Sequence, residues 1–185
     1  MQEIDERHHE VARSRSRTPR LAPYQLDVVG AHVADVVDSA GGWLFDRVMA
    51  GWDVRVAVTD PGDQSALRVL GVQTVTLAAV FGAEHGPASL AVASAVCGID
   101  DQVRDAVAAS VRSARTEVTM WGELWVPSMG RPGSEVRHEL SSAARLFKTQ
   151  AALAAGLDPT VAAFEVFRSY GRCVPTDFQD LQPVG

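Results

Sequence analysis

The sequence predicts an α/β fold: a small sheet of three to four strands flanked by helices, with a C-terminal helical hairpin. The first observation behind this is Gly41 to Asp60, where apolar residues at helical spacing give way after Gly51 to the alternation Val54, Val56, Val58. The second is that two later stretches, Val72 to Phe81 and Thr116 to Trp125, also alternate, with helical patterns between them. The third is composition. At 185 residues with 46% hydrophobic and 22% charged side chains, the chain has the make-up of an ordinary globular domain and can bury a substantial core.

Residues 1–23 hold few large apolar side chains and carry the run Arg13-Ser14-Arg15-Ser16-Arg17, so a mobile basic arm is expected there. The domain proper is expected over residues 24–172, with an irregular tail over 173–185. Leu26, Val29, Val33, Val36 and Val37 recur at three and four residues, which predicts a helix from Gln25 to Ala40. Gly41-Gly42 break or kink it before a second helical piece, Trp43 to Ala50. The first strand follows and stops at Asp60-Pro61-Gly62-Asp63, a strong turn signal.

Ala66 to Leu70 fits a helical turn or a short strand, and Val72 to Phe81 reads as the second strand. After the loop Gly82 to Ser89, Leu90, Val92 and Val96 suit either state, and the abundance of Ala and Leu favours a helix through Cys97. Asp100-Asp101 open a helix to Ala114, placing negative charge at its positive end. Thr116 to Trp125 is the third strand, and the prolines and glycines of 126–133 make a loop. Val136, Leu140, Ala144, Phe147 and Ala151 then predict a helix from Glu135 to Ala155. Gly156 ends it, Asp158 caps the next, and Pro159 takes the first position of a helix over Thr160 to Tyr170. These two helices form the hairpin spanning 135–171.

The charge balance narrows function. A net charge of -6 argues against a whole-surface nucleic-acid binder, although the arginines of the arm offer a local contact for phosphate or an acidic partner. Lys148 to Glu165 superficially resembles a helix-turn-helix, but its would-be reading helix presents Thr160, Ala162, Ala163 and Glu165, which suit neither base edges nor phosphate. Cys97 and Cys173 form no CxxC pair, and no apolar run reaches the ~20 residues of a membrane span, so a cytoplasmic location with no membrane partner is expected. Phosphate-binding glycine fingerprints, GxSxG and HExxH are absent, so no cofactor and no metal site is expected.

What remains for chemistry is the strand ends, where ligands gather in open α/β sheets. Asp60, His85 and Glu123 are the candidate catalytic residues, with Asp60 and His85 an acid–base pair if the strands run parallel. Trp121 and Trp125, four residues apart on one strand, face the same way and are candidates for a ligand or partner surface, alongside Arg13, Arg15 and Arg17. With no recognisable catalytic constellation, the preferred reading is a non-catalytic regulatory or protein-interaction module that binds a protein partner or self-associates. The alternative is a small enzyme built on Asp60, His85 and Glu123; a nucleic-acid-associated regulator comes third.

Overall fold

The computed structural model describes residues 24–82, 89–122, 127–130, 132–171 and 181–183. Within them the elements run β1 (Gln25–His32), α1 (Val33–Met49), β2 (Asp53–Asp60), α2 (Ser65–Val69), β3 (Gln73–Thr74), α3 (Leu77–Phe81), β4 (Ser89–Ala93), α4 (Ser94–Ile99), α5 (Asp101–Ser113), β5 (Glu117–Trp121), a 3-10 turn (Pro127–Met129), β6 (Ser134–Glu139), α6 (Ser142–Ala154), β7 (Phe164–Ser169) and β8 (Gln182–Pro183). The α/β expectation holds, but the sheet is larger than three to four strands. Among the described residues it has eight, in the order β3-β2-β1-β4-β5-β7-β6-β8.

The sheet has two parts. β3, β2, β1, β4 and β5 are parallel, and β7, β6 and β8 extend it in antiparallel fashion. The strand order turns back between β1 and β4, the position where open α/β sheets form a crevice at the carboxyl ends. Helix α1 packs on α2 and α6, while α4 packs on α5.

β1 occupies the middle of the parallel part, and Leu26, Asp27, Val28 and Val29 are all fully buried. A central parallel strand covered on both faces shows an unbroken apolar run rather than alternation. Its apolar residues continue into those of α1 at helical spacing, which is why the predicted helix over Gln25 to Ala40 is in fact a strand followed by a helix. Asp27 is tolerated inside because its register partner Arg55 grips it with two bonds, at 2.7 and 2.8 Å.

Gly41-Gly42 do not break α1. They lie inside it, where a Cβ on Gly42 would stand 2.5 Å from Leu140 Cδ2. The close approach lets the segment after β6 lie against the helix, and it opens the helix backbone to a side chain from β7. Glu165 accepts from the N–H groups of Gly42 at 2.9 Å and Trp43 at 2.8 Å, while Lys148 of α6 donates to Glu165 at 2.6 Å and to the carbonyl of Asp38. Burial pushes the Glu165 carboxyl above its ordinary range, and the Lys148 charge and the two N–H donors oppose that push.

The C-terminal helical hairpin is absent. Only Ser142–Ala154 of 135–171 is helical; Ser134–Glu139 and Phe164–Ser169 are strands paired from Ser134↔Ser169 to Glu139↔Phe164. In β6, Val136 and His138 are buried while Glu135, Arg137 and Glu139 are exposed; in β7, Glu165 and Phe167 are buried between exposed Phe164 and Val166. The spacing of Val136, Leu140 and Ala144 satisfies both periods, and tertiary pairing decides between them. Asp158 accepts from the N–H of Thr160 at 2.7 Å in a turn and caps no helix. With no second helix, the helix-turn-helix likeness of 148–165 falls away.

Two smaller differences concern the middle of the chain. Only Gln73–Thr74 of the predicted second strand pairs, because Thr76 caps α3 by accepting from the N–H of Ala79. Ser89–Ala93 is a buried strand, and helix begins only at Ser94. No helix among the described residues is long and apolar enough to cross a membrane.

Candidate active site at the carboxyl ends of β1 and β2

Because β1 and β2 are parallel, their last residues stand at one edge, and His32 and Asp60 are register partners there. Neighbouring strands run about 4.7–4.9 Å apart, so backbone pairing alone sets a histidine and an aspartate side by side at this edge. Both residues are exposed, and both line a cavity of about 250 Å³. Asp63 joins them on the polar side. Val33 and Ala34 of α1 and the end of α6, Ala154 with Ala155, form the apolar walls.

The local sequence explains how the imidazole is held. His32 is the N-cap of α1, and its Nδ1 accepts the backbone N–H of Asp35 at 3.1 Å. A neutral imidazole whose Nδ1 accepts carries its proton on Nε2. His32 therefore enters the cavity as a hydrogen-bond donor. Asp35 does not point the same freedom at the cavity: its Oδ1 accepts from Trp121 Nε1 at 3.0 Å and its Oδ2 from the N–H of Ala31 at 3.3 Å.

Asp63 is also engaged, accepting from the N–H of Ser65 at 2.9 Å and from Ser65 Oγ at 2.8 Å. The backbone bond, followed by the hydroxyl, holds its carboxyl below the usual range. Asp60 is thus the cavity carboxylate left open to a substrate or a water. The two helices that supply the apolar walls are tied together, since Lys148 of α6 and Glu165 of β7 bond to each other and to α1.

Of the sequence-derived candidates, Asp60 lies in the cavity. His85, Glu123 and Trp125 lie outside the described residues, as do Arg13, Arg15 and Arg17. Ser89, the first described residue after the His85 loop, is paired with Leu26 near the start of β1, at the edge opposite Asp60. Trp121 is 3% exposed, so its ring forms no open aromatic wall. The residue that sequence reasoning missed is His32. The signal was there in the change from the apolar Val28-Val29-Gly30 run to a polar His32 followed by Asp35, once that run is taken as a buried strand. Among the described residues, no three His, Cys, Asp or Glu side chains cluster as metal ligands.

No protein-family model and no curated protein matches the sequence. Solved structures do match. A deacetylase of teicoplanin biosynthesis in complex with teicoplanin aligns at 14% identity and TM-score 0.57, over 78% of this chain and 97% of that one. The antimicrobial reagent A40926 pseudoaglycone deacetylase aligns at 16% identity and TM-score 0.55, over 80% and 97%. A triple mutant of a deacetylase in the teicoplanin pathway aligns at 18% identity and TM-score 0.51, over 70% and 80%. What is shared is the fold. That finding goes against the expectation of a non-catalytic regulatory or interaction module, and with it the lean away from an enzyme: these three solved chains are deacetylases. The fold fits the small-enzyme alternative better; of the residues that reading named, Asp60 lies in the cavity, while His85 and Glu123 lie outside the described residues.

Proposed function

We propose that the chain is a hydrolase that removes an acyl group from an amine, with Asp60 as the general base and His32 as the donor to the carbonyl oxygen. Asp60 takes a proton from a water, whose oxygen attacks the carbonyl carbon. Negative charge grows on the carbonyl oxygen, and the Nε2–H of His32 meets it there. Collapse of the tetrahedral centre breaks the C–N bond as Asp60 returns its proton to the nitrogen. The products are a carboxylic acid and an amine, and Asp60 is again ionised.

The observation that carries this reading is the pairing of His32 and Asp60 on adjacent parallel strands at the mouth of one cavity. The deacetylase names of the fold neighbours support the reaction class. The cavity volume of about 250 Å³ lies just under the roughly 300–1,000 Å³ of ordinary ligand pockets, so it suits the acylated end of a substrate, with the remainder outside. Acetate release from a panel of N-acetylated amino sugars, amino acids and peptide amines tests it. Turnover by the wild-type chain, reduced by about 10²–10⁴ in Asp60→Asn, is expected. A chain that turns over none of them, or an Asp60→Asn variant at the wild-type rate, contradicts it.

A further inference from the structure

Trp121 closes β5, yet its indole N–H leaves its own strand pair. It donates to Asp35 Oδ1 on α1, although β4 lies between β5 and β1. The path is open because the positions beneath it are small. Ala93 is the β4 partner of Trp121, and Gly30 follows Val29, the β1 partner of Val92. A Cβ on Gly30 would collide with Val36 Cγ2 and stand 3.7 Å from Asp35 Oδ2, so this row faces the first turn of α1. On the other side of the indole the chain is pinned as well. Gly122 has φ +92, and a Cβ there would lie 2.6 Å from Ser94 Oγ, so the backbone leaving Trp121 presses on the start of α4.

A buried indole N–H needs an acceptor, and any carbonyl would serve. Here it meets a carboxylate, which makes a stronger, charge-assisted bond and fixes the side chain that receives it. From Asp35 the connection continues: the carboxylate also accepts from the N–H of Ala31, and the Asp35 backbone N–H donates to His32 Nδ1. We infer that Trp121 is a positioning residue of the His32 site. It holds Asp35 and the first turn of α1 so that His32 keeps the one tautomer that offers Nε2–H to the cavity. The kinetic consequence rests on the acyl-amine hydrolase reading; the structural one does not.

The test uses the full chain labelled with ¹⁵N-histidine, reading the His32 ring by its two-bond ¹H–¹⁵N pattern, together with acetate release. The His32 signals are assigned by their loss in His32→Gln. Wild type is expected to show a single tautomer with Nδ1 unprotonated. Trp121→Phe keeps most of the ring and loses the N–H; the pattern should shift towards mixed tautomers, with kcat down about tenfold and KM changed by less than about twofold. Val118→Ala, a cavity in the buried middle of β5, should lower Tm and leave the His32 pattern in place. If Trp121→Phe fails to fold, Asp35→Leu, which removes the acceptor of the indole N–H, gives the same ring readout. A wild-type ring pattern in these variants overturns the inference, as does an equal shift in Val118→Ala, which would mark a general loosening of β5. If no acyl amine is turned over, the hydrolase reading fails while the ring pattern still decides the role of Trp121.

Discussion

Helix α1 carries a histidine–carboxylate pair at each end, and the two are used differently. In its last turn, Asp46 commits both oxygens: Oδ2 to His138 Nε2 at 2.9 Å and to the Ser141 N–H at 3.2 Å, and Oδ1 to Ser141 Oγ at 2.6 Å. Ser141 Oγ in turn caps α6 by accepting from Ala144. His138 is buried, and the cluster joins α1, β6 and α6. At the start of the helix, His32 uses Nδ1 alone, and it and Asp60 face a cavity. The same residue types thus make a closed polar network in one place and an open one in the other. A satisfied network stiffens a fold, whereas an open one has donors and acceptors left for a substrate. Residue type at a given spacing does not separate the two; the count of partners does.

The largest expected effect separates the pairs by activity. His32→Ala should lower kcat by about 10²–10³, since it removes a donor to developing charge, and should cost about 0.5–2 kcal/mol of stability through the lost cap of α1. His138→Ala should leave acetate release per folded molecule near wild type and lower the unfolding midpoint in urea. Equal effects of the two on activity would erase the contrast.

Next comes the buried ion pair of Lys148 and Glu165. Lys148→Met leaves the Glu165 carboxylate buried without its counter-charge, and a loss of about 3–5 kcal/mol in unfolding free energy is expected. The pH dependence has a definite sign. Burial already raises the Glu165 carboxyl, and removing Lys148 raises it further. A carboxyl raised in the folded state binds its proton more tightly folded than unfolded, so Lys148→Met should regain stability as the pH falls through that raised value towards the ordinary carboxylate range. Urea titrations at several pH values check it, and a deficit that grows on acidification goes against the account.

The smallest effect belongs to Asp63. Its carboxyl is held low by Ser65, so whatever it adds to stability is present above the ordinary carboxylate range and is lost as the pH falls through its lowered value. Ser65→Ala removes the hydroxyl and keeps the backbone N–H, and should move the Asp63 titration only part of the way back. Carbon-detected titration of the side-chain carboxyl reads this directly; an unchanged midpoint would show that the hydroxyl contributes nothing.

How much of this was legible in the sequence follows from which contacts are local. The strand ending at Asp60 was visible because Val54, Val56 and Val58 alternate and the turn after them is explicit, and α5 was visible from Asp100 and its buried Val103 and Val107. β1 was hidden because a strand buried on both faces has no alternation to show, and Leu26 and Val29 run into Val33, Val36 and Val37 at helical spacing. With β1 went His32, and so half of the proposed site. β6 and β7 were hidden for another reason. Their pairing joins residues 25 or more positions apart, and Glu165 looks like a surface residue until Gly42, Trp43 and Lys148 are seen around it.

The central claim is that the open pair works on substrate while the closed pair holds the fold. Acetate release and urea unfolding, measured side by side for Asp60→Asn and Asp46→Asn, test it most directly. The account predicts that Asp60→Asn loses turnover and keeps its unfolding midpoint, while Asp46→Asn keeps turnover per folded molecule and loses about 1–3 kcal/mol of stability. Turnover that survives in Asp60→Asn and disappears in folded Asp46→Asn would contradict it.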